Sequence, residues 1–160
     1  IVPTSSGFSV DLGAGHGVQT VALARQGFTV TAIDFSETLL QELKIATKDL
    51  PIVTVLGDIT DIKHHIHTNP ELVICCGDTI AHLNSYETIE QLIKDIAHVL
   101  TIDGKLILSF RDYSVERKHD QRFIPVKSDE GQILTCILDY EEAYVRVTDL
   151  LYVHTNEGWV

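Results

Sequence analysis

Apolar residues along the chain fall into short β-branched runs separated by stretches with helical spacing. Residues 8–12 read as a buried strand ending at a glycine-rich turn, and residues 18–26 then carry helical spacing that Gly27 stops. Residues 28–33 alternate and are rich in β-branched side chains, predicting a second strand. Ser36 is placed to cap a helix bearing Leu39, Leu40 and Leu43, which Asp49 and Pro51 end. A third strand is predicted at 52–56, a polar loop with His64, His65 and His67 follows, and a fourth strand at 72–76 comes next. Ile89, Leu92, Ile93, Ile96, Ala97 and Leu100 recur at i, i+3, i+4, i+7, i+8 and i+11, which marks one apolar helix face. Asp103 and Gly104 turn the chain into a fifth strand at 105–110.

The order β-α-β-α-β-loop-β-α-β predicts an α/β fold with a doubly wound, mostly parallel sheet and right-handed crossovers. Beyond Phe110 the pattern changes. Residues 111–122 are strongly charged, and two alternating runs at 133–140 and 144–154 flank Glu141 and Glu142 where a hairpin turn belongs. An antiparallel strand extension is therefore expected at the C-terminal end instead of further β-α units.

Composition narrows the reading. With 160 residues and 44% apolar content, one domain is expected, a core over 8–110 with its extension over 111–160. The chain opens on Ile1, has no methionine and enters its first strand almost at once, so sequence is expected to be missing at both ends. No apolar run reaches the roughly 20 residues of a membrane span. Three cysteines, two of them adjacent, do not make a disulfide framework, and a reducing, cytoplasmic setting fits them. Twelve basic against twenty-three acidic residues leave a formal charge of −11, which repels a phosphate backbone and disfavours nucleic acid as a partner.

The strongest chemical feature is Asp11-Leu12-Gly13-Ala14-Gly15-His16-Gly17, between a predicted strand and a predicted helix. Glycines there let the backbone turn sharply and approach a ligand, while the helix N-terminus offers unpaired N–H groups to a carboxylate or phosphate. A dinucleotide fingerprint would carry a third glycine where this chain has Val18. The spacing instead resembles the first motif of class I S-adenosylmethionine-dependent methyltransferases, which assigns Asp11, Gly13, Ala14 and Gly15 to the cofactor. At the end of the second strand, Asp34 can accept hydrogen bonds from both ribose hydroxyls. The resemblance places Phe35 against adenine and gives Asp58, with Ile59, the adenine amino group. Three strand tips in register make a stronger argument than any one of them, because open α/β sheets bind ligands beyond the carboxyl ends of their strands.

The segment 71–83 (ELVICCGDTIAHL) and the later Phe110-Arg111-Asp112-Tyr113 are similar to glycine and sarcosine N-methyltransferases, a small-molecule branch of that family. The Pro-Pro-aromatic and Pro-Cys signatures of nucleic-acid methylating branches are absent from the segment. By this similarity Cys76 offers backbone groups to the cofactor's methionine portion and Arg111 forks a substrate carboxylate. Asp78 stands where that branch has asparagine, which puts glycine itself in doubt and favours a cationic or amine substrate. Methyl transfer to an amine requires loss of a proton, and Asp78, His82 or bulk water could take it. The closely spaced histidines 64, 65 and 67 are read as a solvated loop and not as a metal site, and Cys75 and Cys76 as core and strand-tip residues. Oligomeric state is open. Two other readings remain: a domain that binds S-adenosylmethionine or its demethylated product without catalysis, and a nicotinamide-dependent oxidoreductase, which Val18 opposes.

Overall fold

A computed structural model of the chain describes residues 1–142 and 144–160. It comprises two compact units, Ile1–Arg111 and Asp112–Val160. In the first, strands β1 (Phe8–Leu12), β2 (Thr29–Asp34), β3 (Ile52–Leu56), β4 (Leu72–Cys75) and β5 (Lys105–Leu108) form one sheet in the order β3-β2-β1-β4-β5. All four pairings are parallel. The doubly wound reading holds. The order reverses between β1 and β4, and that is the place where such sheets open a crevice.

Side chains alternate across the sheet and are buried on both faces, as a parallel sheet requires. Val30, Leu72 and Ile74 pack with Leu23 and Ala24 of α1 (Val18–Arg25), and Ala32 packs with Leu40 and Leu43 of α2 (Glu37–Ala46). On the other face Val10, Leu12, Ile33, Val73 and Cys75 meet Ile62 of α3 (Ile62–His65) and Leu92 and Ile96 of α4 (Tyr86–Val99). Each such fully buried aliphatic side chain contributes roughly 1.5 to 3 kcal/mol.

The helix ends follow their local chemistry. Ser36 caps α2 by accepting from the Leu39 N–H at 3.4 Å, and Ser85 caps α4 by accepting from Thr88 at 3.2 Å. Gly27, at φ 102°, takes the chain out of α1. Helix α2 stops at Ala46, earlier than Asp49 and Pro51 suggest, and at its end the Thr47 hydroxyl donates to the Leu43 carbonyl at 2.7 Å. In α4 the inward stripe is Leu92 and Ile96 together with Asp95, while Ile93 and Ala97 lie exposed. Asp95 tolerates burial because Lys63 (2.8 Å) and Gln91 (2.9 Å) satisfy it. The expected loop around His64 contains the single helical turn α3.

At the end of the sheet where β4 begins, Glu71 ties down the segment before β1. Its carboxylate accepts from the Thr4 N–H (3.1 Å) and hydroxyl (3.1 Å), the Ser5 N–H (2.6 Å) and hydroxyl (2.6 Å), and the Gly7 N–H (3.1 Å).

The second unit is an antiparallel sheet of β6 (Phe123–Ser128), β7 (Gln132–Tyr140), β8 (Val145–Thr155) and β9 (Gly158–Trp159), in that order. The sequence pattern anticipates β7 and β8. It misses β6, whose register slips between Pro125 and Lys127 where proline lacks an N–H to donate, and the two-residue β9. A groove of about 810 Å³ in this unit is lined by Lys118, Arg122, Asp139, Tyr140, Glu141 and Arg146 among others. Its two arginines are paired from within, Arg122 with Asp139 and Arg146 with Glu141 at 3.6 Å.

Candidate functional site

The parallel register levels the carboxyl ends of the strands. Leu12 is opposite Ile33 and Cys75, Asp34 is opposite Leu56, and Cys75 is opposite Leu108. The next residues therefore emerge together along one edge of the sheet: Gly13, Phe35, Gly57, Cys76 and Ser109.

The loop after β1 turns through left-handed conformations at Gly13 (φ 73°), Gly15 (φ 53°) and Gly17 (φ 82°), which side chains other than glycine rarely adopt. It is bound to β2, since the N–H groups of Gly13 and Ala14 donate to the Ile33 carbonyl at 2.9 and 3.1 Å. A Cβ at Gly13 would overlap the side chain of Thr79, and one at Gly17 would overlap Leu43, so the loop is pressed between the β4 tip and α2. At Gly15 nothing lies within 4 Å of that position, and the loop is open there.

Beneath the loop, Asp11 is almost fully buried and accepts from the Thr20 hydroxyl on α1 at 2.5 Å. Burial pushes its carboxyl up to about 6, against the lowering effect of Thr20. Asp34 is also buried, and its oxygens accept from Gly15 N–H and Ser36 N–H, both at 2.8 Å. Each oxygen keeps a lone pair for a further donor such as a ribose hydroxyl. The neighbouring Phe35 is 87% exposed, an apolar ring with no core to enter.

Asp58 follows β3 and caps a short 3₁₀ turn, accepting from Thr60 N–H and hydroxyl at 2.8 Å through the same Oδ1. These bonds hold its carboxyl below the usual value. Ile59 is buried in the core beside α3, so its side chain is committed to packing. The ring of His65 supports this tip. It fills the space a Cβ at Gly57 would need and bonds the Asp58 carbonyl at 3.0 Å.

After β4, Cys76 is half-buried and its carbonyl accepts from the Thr79 hydroxyl at 3.0 Å. Burial pushes the Cys75 thiol up to about 12 and raises Cys76 as well, which keeps both protonated and unreactive at neutral pH. Cys75 and Cys76 are not joined in a disulfide. Asp78 is buried and left-handed at φ 71°. One of its oxygens accepts from the Arg111 backbone N–H at 2.6 Å and the other bonds the Arg111 side-chain Nε. Asp78 and Arg111, which the sequence assigns to separate tasks, are therefore an ion pair with each other. His82 lies exposed at the end of the next 3₁₀ turn.

Thr20 and Thr79 complete this edge without having been singled out from the sequence, while Ser36 and His65, read there as a helix cap and a loop residue, also belong to it. The signal of the two threonines was weak, since a threonine one turn into a helix or after a strand is ordinary. Among the described residues no group of three or more His, Cys, Asp or Glu side chains could hold a metal ion, and no helix is long and apolar enough to cross a membrane.

The arrangement fits a nucleoside bearing a charged amino-acid tail: a carboxylate with spare lone pairs for ribose, an exposed ring for a base, and a glycine loop with open space at Gly15. Comparison with known proteins agrees. Residues 10–104 match the family described as Methyltransferase domain. The glycine/sarcosine N-methyltransferase of Aphanothece halophytica is 34% identical over 108 residues, 66% of this chain and 41% of that protein. The chain thus spans about two fifths of that relative's length. Among solved structures, an S-adenosylmethionine-dependent methyltransferase from Clostridium acetobutylicum superposes with a TM-score of 0.76 at 20% identity, covering 96% of this chain and 62% of that one. CalS10, an amino pentose methyltransferase from Micromonospora echinaspora solved with S-adenosylmethionine bound, gives 0.69 at 15% identity, over 96% and 64%. These two share the fold. On the family match over 10–104, the chain belongs to the methyltransferase-domain family.

Proposed function

We propose that the chain transfers a methyl group from S-adenosylmethionine to the nitrogen of a small-molecule amine, in a cytoplasmic setting. The observation that carries this reading is the levelled row of strand tips, where the glycine loop, Asp34 and Phe35 stand side by side. The name of the Aphanothece relative supports nitrogen as the atom methylated, and the charge of −11 disfavours a nucleic-acid acceptor.

In this reading Asp34 receives the ribose hydroxyls, Phe35 lies against adenine, and Asp58 with the backbone of Ile59 meets the adenine edge. Asp11, Gly13, Ala14, Gly15 and Cys76 surround the amino-acid tail. When bound, the cofactor supplies an electrophilic methyl carbon on a sulfonium. The protein's part is to hold the acceptor in line and at contact distance, an effect worth roughly 7 to 11 kcal/mol when the alignment is good. No covalent nucleophile is needed, which agrees with the protonated thiols of Cys75 and Cys76. Asp78, paired with Arg111 through both of its oxygens, borders the acceptor, and the amine proton passes to Asp78, to the exposed His82 or to solvent water.

Calorimetric titration with S-adenosylmethionine, on the wild type and on Phe35→Ala, tests the placement. Because Phe35 is 87% exposed, its truncation leaves the core intact and reads the ligand contact alone. Stacking of a base on an aromatic ring is worth about 1 to 3 kcal/mol, so affinity should fall by roughly 5- to 150-fold. Equal affinity in the two proteins would remove adenine from this tip.

A further inference from the structure

Both members of the Asp78–Arg111 pair stand three residues beyond their strands. Cys75 and Leu108 are partners in the sheet, and the pairing continues past them, with Ser109 N–H donating to the Cys75 carbonyl at 3.0 Å and Asp78 N–H to the Ser109 carbonyl at 3.4 Å. The next residue, Thr79, occupies the space beside Gly13, so the pair stands one residue from the glycine loop.

Asp78 combines two unfavourable features. Its residue is only 8% exposed, and its backbone is left-handed, a conformation that costs a side-chain-bearing residue about 1 to 2 kcal/mol. A buried charge of this kind persists when a fixed partner compensates it, and Arg111 does so through its backbone N–H and its side-chain Nε. One edge of the guanidinium is thereby used, and its charge is matched inside the protein.

Arg111 is also the only arginine or lysine within residues 11–17, 34–37, 57–61, 76–85 and 109–111, which carry Asp11, Asp34, Glu37, Asp58, Asp61 and Asp78. Around the strand tips the sum of charge is negative. An acceptor with its own carboxylate would meet that field and would compete for Arg111 with a carboxylate tethered in the same chain, whose effective concentration a free molecule does not match. A neutral or cationic amine meets no such competition.

We propose that the Asp78–Arg111 pair is the specificity determinant of the acceptor site, selecting amines that lack a carboxylate and rejecting amino acids. This rests on the methyltransferase reading above. Asp78 acts as a positioning residue: it fills the place on Arg111 that an amino-acid acceptor would need.

The test uses matched acceptors that differ only in the carboxylate, glycine against methylamine and alanine against ethylamine. Binding is measured by calorimetry in the presence of S-adenosylhomocysteine, and methylation by the enzyme supplied with S-adenosylmethionine. The wild type is expected to favour each amine over its amino acid by at least about tenfold in binding. Asp78→Asn, a residue that also tolerates the left-handed backbone, is expected to shift that ratio toward the amino acid by at least about tenfold in a protein that still binds S-adenosylmethionine. Asp78→Gly serves the same purpose should the asparagine variant not fold. A wild type that prefers the amino acids, an unaltered ratio in the variants, or no binding of either acceptor set by a protein that does bind S-adenosylmethionine would each overturn the proposal. Failure to bind S-adenosylmethionine at all would instead sink the methyltransferase reading, and the proposal with it.

Discussion

The hydroxyl of Thr20, on the first turn of α1, donates to the carboxylate of Asp11 at the buried end of β1 across 2.5 Å. Thr20, through its hydroxyl and its backbone N–H, only partly offsets the desolvation of Asp11, whose folded value of about 6 compares with 3.8 for the free side chain. Between those two values the folded chain binds more protons than the unfolded one, so stability falls as pH rises through that window and stays reduced above it. The reduction at neutral pH is on the order of 2 to 3 kcal/mol. Asp11→Asn keeps an acceptor for Thr20 and removes the charge. Ligand-free Asp11→Asn should therefore melt higher than wild type near pH 7 and lose its advantage below about pH 4. Scanning calorimetry at both values decides it, and a gain that persisted in acid would have another cause.

Gly13→Ala should lower stability by about 2 to 4 kcal/mol, from the left-handed backbone and from overlap with Thr79. Truncating Thr79 to alanine in the same molecule would recover most of the steric part and none of the backbone part. A denaturant double-mutant cycle should show a favourable coupling between the two sites. Strict additivity would mean that the loop does not touch the β4 tip.

Glu71 gives the opposite pH signature. Its bonds, led by the Ser5 hydroxyl, hold its carboxyl down at about 2 against an ordinary 4.5. The stability it contributes is complete above the unfolded value and is lost as pH falls from 4.5 through about 2. Glu71→Gln should be less stable than wild type at neutral pH and should show a smaller fall in melting temperature on acidification. Parallel acid-dependence curves for the two proteins would show that the carboxylate is not the tether.

The sequence disclosed the elements with strong periodicity or strong punctuation. Val30, Ala32 and Ile33 marked a buried strand, Ser36 stood at a helix start, and the glycines at 13, 15 and 17 marked the turn where backbone must go left-handed. The strand tips were legible because each was a polar residue ending an apolar run. What escaped was tertiary. Nothing in the spacing of Asp78 and Arg111, 33 positions apart, says that they bond each other. Nor does the apolar repeat of α4 reveal that Asp95 turns inward, since Lys63 lies on another helix. Strand β6, interrupted by Pro125, carries too weak an alternation to stand out.

The levelling of the strand ends also makes ligand capture a property of the finished sheet. The residues proposed to touch one nucleoside and its acceptor span positions 11 to 111, nearly all of the first unit. No short fragment of the chain contains a half-strength version of the site, and a molecule whose last parallel strand has not docked lacks Arg111 at its station. Bound ligand would therefore count assembled molecules, and occupancy at a concentration one hundred times the dissociation constant would hold them assembled by about 2.7 kcal/mol.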